Sequence, residues 1–233
     1  MWAVITGGTK GIGLAIAEKM AENKVNLVVC SRNIFDLDSM KKKFSEKYEG
    51  VALVTCRADM SKREDVLSFA EIIFENCGSP DILVNNAGIF LAGSLADEPE
   101  DNLPLMMETN LYSSYYLTRA LLPEMRARKN GHIINMCSIA SIIAYPNGGS
   151  YTISKFAMLG FSKVLREELK NTGIKVTAVM PGATWSDSWK GSSTPRERFM
   201  EARDIADSIW NIINLGPNCV VEEIVLRPQL GDL

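Results

Sequence analysis

Short apolar runs separated by longer stretches with helical spacing repeat from one end of the chain to the other. Residues 3–5 form the first run. Residues 11–23 come next, with Ile12, Ile16 and Met20 at four-residue intervals, the pattern of a helix with one apolar face. Runs at 25–30, 51–56, 82–84, 132–136, 176–179 and 220–226 predict further strands. The stretches 34–48, 62–77, 103–128, 151–171 and 204–215 predict helices between them. The strand runs are apolar throughout rather than alternating, which implies burial on both faces. The expected fold class is therefore α/β: a doubly wound parallel sheet of about seven strands with helices on both faces, in one domain over 1–233. One stretch breaks the rhythm. Residues 183–198 carry Thr, Ser, Gly and Pro with Trp185 and Trp189, which predicts either a short substrate lid at about 184–200 or rings packed beneath a loop.

Composition narrows the chemistry. The chain has 233 residues and a formal charge of −3, so it lacks the basic excess of a nucleic-acid or membrane-surface binder. The run Lys41-Lys42-Lys43 lies among Asp36, Asp38, Glu46 and Glu49 and reads as a solvated helix face. Cys30, Cys56, Cys77, Cys137 and Cys219 form no Cys-x-x-Cys pair, and with a single histidine, His132, no metal site is expected. The same count makes a histidine-based hydrolase a poor reading, so a proton would have to move through another side chain. The opening apolar run is too short for a signal peptide, and no run reaches a membrane span of about 18 residues. A cytoplasmic protein with reduced thiols is the expectation.

Thr6-Gly7-Gly8-Thr9-Lys10-Gly11-Ile12-Gly13 lies between the first strand and the first helix. Glycines there permit a sharp turn and a close backbone approach to a pyrophosphate, which the N-terminal end of the helix would attract. No Gly-Lys-Ser/Thr is present after it, so the loop is not that of a nucleoside triphosphate site; a dinucleotide is expected. The second strand ends Val28-Val29-Cys30-Ser31-Arg32-Asn33, without a carboxylate to bond a ribose 2′-OH. Arg32 can grip a 2′-phosphate as a planar fork, and Lys10 would add a second positive charge, so NADP(H) is expected before NAD(H).

Tyr151-Thr152-Ile153-Ser154-Lys155 opens a long helix and puts Tyr151 and Lys155 on one face. An ammonium beside a phenol favours the phenolate and brings it towards the working range of an acid–base catalyst. The pair alone is not specific. Ser138, at the end of the strand starting at Gly131, and Asn85-Asn86-Ala87-Gly88, at the end of the fourth, add to it, because strand carboxyl ends line the ligand crevice.

Taken together, Thr6–Gly13, Asp59, Asn85–Gly88, Asn110, Ser138, Tyr151 with Lys155, and Pro181-Gly182 resemble the short-chain dehydrogenase/reductase family over about residues 3–185. The resemblance implies a Rossmann-like fold and hydride exchange between a nicotinamide and a carbonyl or alcohol. It also implies roles. Tyr151 would be general acid in reduction and base in oxidation, Lys155 would tune it and hold the nicotinamide ribose, and Ser138 would bond the substrate oxygen. Asn110 would hold a water in a relay through Lys155. The cofactor would meet Gly7, Thr9, Lys10, Gly11, Ile12 and Gly13, then Ser31 and Arg32. Asp59 and Met60 would face the adenine, Asn86, Ala87 and Gly88 its ribose, and Pro181, Gly182, Thr184 and Ser186 the nicotinamide. Asp59 also fits a plain helix cap.

Two departures stand out: Ser186 replaces a frequent threonine, and the chain ends without the Gly-Gly turn of many acyl-reductase members. The resulting expectation is an NADP(H)-dependent enzyme acting on a ketone or secondary alcohol, with Phe90, Leu91, Tyr145, Trp185 and Trp189 around the substrate. A 3-oxoacyl-thioester reductase is the alternative of the same class, and a non-catalytic cofactor-binding regulator that of another. The two long helices, 103–128 and 151–171, would join copies into a homodimer or homotetramer.

Overall fold

Seven short strands, most of them buried along their length, account for the layering of the molecule. The computed structural model describes residues 1–186, 189 and 193–232. The strands are β1 (Trp2–Thr6), β2 (Asn26–Ser31), β3 (Leu53–Arg57), β4 (Ile82–Asn85), β5 (Gly131–Met136), β6 (Ile174–Pro181) and β7 (Glu223–Leu226). They form one sheet in the order β3-β2-β1-β4-β5-β6-β7, and each neighbouring pair is parallel. Parallel pairing demands crossovers, and helices supply them: α1 (Gly11–Glu22), α2 (Ile34–Lys47), α3 (Arg63–Cys77), α4 (Asn102–Met107), α5 (Ser113–Arg128), α6 (Gly149–Leu169) and α7 (Ala202–Ile213).

Successive strand residues point to opposite faces, and both faces are apolar. Ala3, Ile5, Leu27 and Val29 pack with Ile16 and Met20 of α1, Phe44 of α2 and Ile209 of α7. Val4, Val28 and Leu83 pack on the other side with Phe69 of α3, Leu117 and Leu121 of α5 and Leu165 of α6. A fully buried leucine or phenylalanine stabilises by roughly 1.5–3 kcal/mol, so this two-sided burial is what the apolar strand runs encode.

The predicted elements are all present, with shifted ends. The last strand is confined to Glu223–Leu226 instead of 220–226, and 103–128 is not one helix. A π-helical turn, Glu108–Tyr112, separates α4 from α5. Such a turn inserts one residue into the helical repeat and rotates the helix beyond it. The strand order reverses between β1 and β4, which opens a crevice at the carboxyl ends of these strands.

Candidate active site

At the end of β1 the backbone of Gly7 enters the left-handed region (φ +64°), which only glycine adopts freely. A Cβ there would stand 3.2 Å from Ala87 Cα. The loop is stapled to the end of β4. Thr6 Oγ1 accepts from Asn86 N and Ala87 N, both at 2.9 Å, and Asn86 Nδ2 donates to Thr6 O at 2.9 Å and Gly7 O at 3.0 Å. The Asn86 side chain, expected along the ribose, therefore spends both amide hydrogens on the loop. Gly13, on the first turn of α1, packs so tightly that a Cβ would lie 2.4 Å from Gly7 O and from Asn86 Nδ2. Ile12 turns into the core beneath. Gly11 (φ +54°) faces Ser186, whose Cβ would be 3.5 Å from an added Cβ, so Ser186 reaches back over the loop.

At the end of β2, Thr9 Oγ1 donates to Ser31 Oγ at 3.0 Å. Arg32 is the next residue, and no carboxylate occupies the strand end. Lys10, expected to help Arg32, forms an ion pair with Asp36 Oδ2 at 2.8 Å. Asp36 lies in the first turn of α2, where the helix end already favours an anion, and it captures the nearest ammonium. Arg57, not singled out from the sequence, pairs in register with Ser31 and donates from Nε to Arg32 O at 3.3 Å. Its signal was cross-strand register, which a linear motif does not carry.

Asp59 behaves as the local turn former: its Oδ1 accepts from Ser61 N at 3.1 Å and Ser61 Oγ at 2.8 Å. Burial pushes its carboxyl up, but the Ser61 bonds and the Arg32 charge outweigh that and leave it below the ordinary value. Met60 is buried with its sulfur 3.6 Å from Cys30 Sγ, inside the core.

The remaining residues converge from β4, β5, α6 and the π turn. Ser138 is extended (φ −160°) just past β5, and its Oγ accepts from Ala140 N at 3.1 Å, which leaves its proton to donate. That hydroxyl meets the Tyr151 phenol. Burial raises the phenol above its ordinary pKa of 10, and the Ser138 bond opposes the rise. Lys155 Nζ lies 5.7 Å from the centre of the Tyr151 ring and donates to Met136 O at 2.9 Å. Burial holds its pKa below the ordinary value of a lysine. Desolvation thus holds the phenol on the neutral side, with Ser138 the group that opposes it.

The π turn aims Asn110 at the same place. Its Oδ1 accepts from Ile89 N at 2.7 Å, and its Nδ2 donates to Ile89 O at 3.0 Å and Ser154 Oγ at 2.9 Å. Three bonds leave one Oδ1 lone pair open. Gly88 lies between Asn110 and Lys155: a Cβ on it would be 3.2 Å from Asn110 Oδ1 and 3.7 Å from Lys155 Nζ.

On the other side, Pro181 ends β6 opposite Leu226, Gly182 N donates to Leu226 O at 2.7 Å, and Thr184 Oγ1 donates to Gly182 O at 3.0 Å. Phe90 meets the Tyr151 ring edge-on at 4.9 Å. The Tyr145 phenol is pushed up to about 12 by burial, and the charge of Tyr151 adds to the rise. Trp185 and Trp189, by contrast, pack on Phe199 at 5.2 and 4.9 Å. Of the expected lid, residues 187–188 and 190–192 lie outside the described residues. Among the described residues no group of acidic, cysteine and histidine side chains could hold a metal, and no helix is long and apolar enough to cross a membrane.

Comparison with known proteins agrees with this arrangement. The short chain dehydrogenase family model matches residues 1–197. The chain is 34% identical to a sepiapterin reductase of Chlorobaculum tepidum over 238 residues, covering 99% of this chain and 97% of that protein. A D-beta-hydroxybutyrate dehydrogenase of Cupriavidus necator is 35% identical over 183 residues, covering 77% of this chain and 69% of that protein. An alcohol dehydrogenase of the archaeon Thermococcus sibiricus, complexed with 5-hydroxy-NADP, superposes with a TM-score of 0.89 at 28% identity, covering 98% of this chain and 96% of that one. L-sorbose reductase of Gluconobacter frateurii, complexed with NADPH and L-sorbose, gives 0.88 at 27%, covering 97% and 94%. A match over most of the chain, a Rossmann-like parallel sheet and the ordered motifs reach one conclusion: the chain belongs to the short-chain dehydrogenase family.

Proposed function

We propose that this chain is an NADP(H)-dependent oxidoreductase that interconverts ketones and secondary alcohols, with Tyr151 as general acid in reduction and general base in oxidation. The observation that carries this reading is the half-buried Tyr151, its phenol against Ser138 and Lys155 Nζ 5.7 Å from its ring centre. The cleft fits the cofactor. Arg32 and Arg57 stand at the ends of β2 and β3, the nearest carboxylates are engaged with Lys10 and Ser61, and Gly88 leaves a floor that a side chain would fill. The NADP and NADPH complexes of the similar structures support the same choice. Arg32, with Thr9 and Ser31, would hold the 2′-phosphate, Gly11 and the start of α1 the pyrophosphate, Asp59 the adenine end, and Lys155 the nicotinamide ribose. When bound, the nicotinamide supplies or accepts the hydride at the substrate carbon.

The chain's own groups handle the proton. A phenol kept neutral by burial is a loaded donor near neutral pH; Tyr151 Oη gives its proton to the carbonyl oxygen while the Ser138 hydroxyl donates a hydrogen bond to the same atom. Lys155 then faces a phenolate, and the remaining lone pair of Asn110 can seat the water through which the proton is restored. Phe90 and Tyr145 give the substrate side an aromatic wall, which suits an apolar or aromatic ketone. The reading takes 1–233 as one dinucleotide-binding unit with a short lid at about 184–200. Exposed Leu105, Tyr112, Tyr115, Phe156 and Val164 on α4, the π turn, α5 and α6 support pairing of copies into a dimer or tetramer.

The deciding experiment is Tyr151→Phe. NADPH oxidation with a panel of ketones, the side-chain ketone of sepiapterin and 3-oxoacyl thioesters should fall by about 10²–10⁴-fold, with NADPH affinity retained. Near-full activity of the variant refutes the role of Tyr151. Wild-type protein that binds NADPH tightly yet turns over nothing in the panel favours a non-catalytic role, and turnover confined to the thioesters favours an acyl reductase.

A further inference from the structure

The helix that carries Tyr151 starts without a cap of its own. Its first positions are Gly148 and Gly149, and no side chain at the N-cap accepts from the exposed N–H groups of the first turn. The acceptor arrives from 52 residues upstream: Glu98 Oε1 takes a bond from Ser150 N at 3.2 Å and a shorter one from Ser150 Oγ. Glycines clear the space for this carboxylate. A Cβ on Gly93 would stand 2.6 Å from Glu98 Cβ, and one on Gly149 would stand 3.0 Å from Glu98 Oε1 and 2.7 Å from Gly93 O. Gly93 also bridges to Gly148, and its N–H donates to Asn147 O at 3.0 Å. The second oxygen, Glu98 Oε2, is buried without a hydrogen-bond partner among the described residues. A neutral apolar side chain would avoid that desolvation, so the carboxylate stands there at a cost. What it provides is an acceptor for the first turn of a 21-residue helix, one residue before Tyr151. The same segment delivers Phe90 to the Tyr151 ring.

We propose that Glu98 is a positioning residue for Tyr151: docked on the first turn of α6, its carboxylate fixes the phenol against Ser138 and Phe90. The proposal rests on the reading of Tyr151 given above. Its test compares Glu98→Ala and Glu98→Gln with the wild type, using kcat per NADPH-binding site counted by fluorescence titration, and amide exchange across residues 146–157. In Glu98→Ala, kcat should drop by about tenfold or more, because small displacements of a reacting group are expensive. NADPH affinity should hold, and the first turn of α6 should exchange faster. Glu98→Gln keeps an acceptor at Oε1 and should recover to within about threefold of the wild type. Glu98→Ala with wild-type kcat per site overturns the proposal, as does a Gln variant as slow as the Ala variant. If Glu98→Ala does not fold, Ser150→Ala, which removes the shorter bond alone, takes its place: lower kcat at unchanged NADPH affinity supports the proposal, and unchanged kcat overturns it. Failure of the functional reading looks different, since there the wild type and Tyr151→Phe have equal turnover.

Discussion

Gly13 shows how little freedom single positions have in this crevice. Its α-carbon sits where Gly7 O and Asn86 Nδ2 would each be 2.4 Å from a methyl group. Gly13→Ala should therefore break the staple between β1 and β4. The expected cost is about 1–3 kcal/mol in urea unfolding, with a loss of NADPH affinity seen by fluorescence titration. Arg32 makes a different demand, one of charge. Arg32→Ala should weaken NADP⁺ binding by about tenfold or more, the scale of a lost charge-assisted bond, and leave NAD⁺ affinity unchanged in calorimetry. Residues such as Tyr151, Lys155 and Gly7–Gly13 are legible in the sequence because their partners lie within one turn or one loop, where spacing fixes geometry. Glu98 and Arg57 are not. Their partners are a helix end 52 residues on and a neighbouring strand, and only the fold brings them together. Lys10 has a short-range partner in Asp36, an ion pair that the glycine motif does not show.

Among the elements, the π turn between α4 and α5 has the greatest effect on the site. Without the inserted residue, Asn110 would not meet Ile89 and Ser154. Apolar periodicity over 103–128 still reads as one helix, since the five residues of the turn are too short a window to show a period of their own. Asn110→Asp tests the element. It keeps the shape but exchanges two donors for an acceptor, so the bonds to Ile89 O and Ser154 Oγ are lost. Stability should fall by about 1–3 kcal/mol in denaturant titration, and kcat should fall with it while the helical circular dichroism stays. The shorter edge strand β7 has a local cause. The ladder between β6 and β7 begins only at Ala178 and Glu223, and Val221 O is taken by the Thr177 side chain.

For the whole molecule, the doubly wound sheet is readable because the strand runs are apolar on both faces. The site's location comes with it, since the strand order reverses at β1 and β4. The far end of the sheet has its own chemistry. His132 is the second residue of β5, and burial pulls its pKa down to about 4, aided by Lys175. Thr177 Oγ1 gives its proton to Val221 O at 2.7 Å, so the neutral ring must donate to it from Nε2 across 2.8 Å. The unfolded chain takes up a proton near pH 6.5, the folded chain only near 4. Between these values the unfolded state holds more protons, and stability falls as pH drops through this window, by about 3 kcal/mol in total. Urea unfolding of His132→Gln at pH 7 and pH 4.5 should show a smaller difference than the wild type; an equal difference would assign the slope to other groups.

The staple at Thr6, Gly7 and Asn86 also bears on the order in which the protein forms. Each of its bonds closes a loop of about 80 residues. The glycine turn is local in sequence, but what holds it in shape is the late-arriving end of β4. Such long closures carry an entropic penalty that must be met before their contacts help, and they slow folding. Competence to grip a dinucleotide is therefore a property of the finished sheet and not of the first β-α unit, and a nascent chain that ends before β4 has the motif without the site.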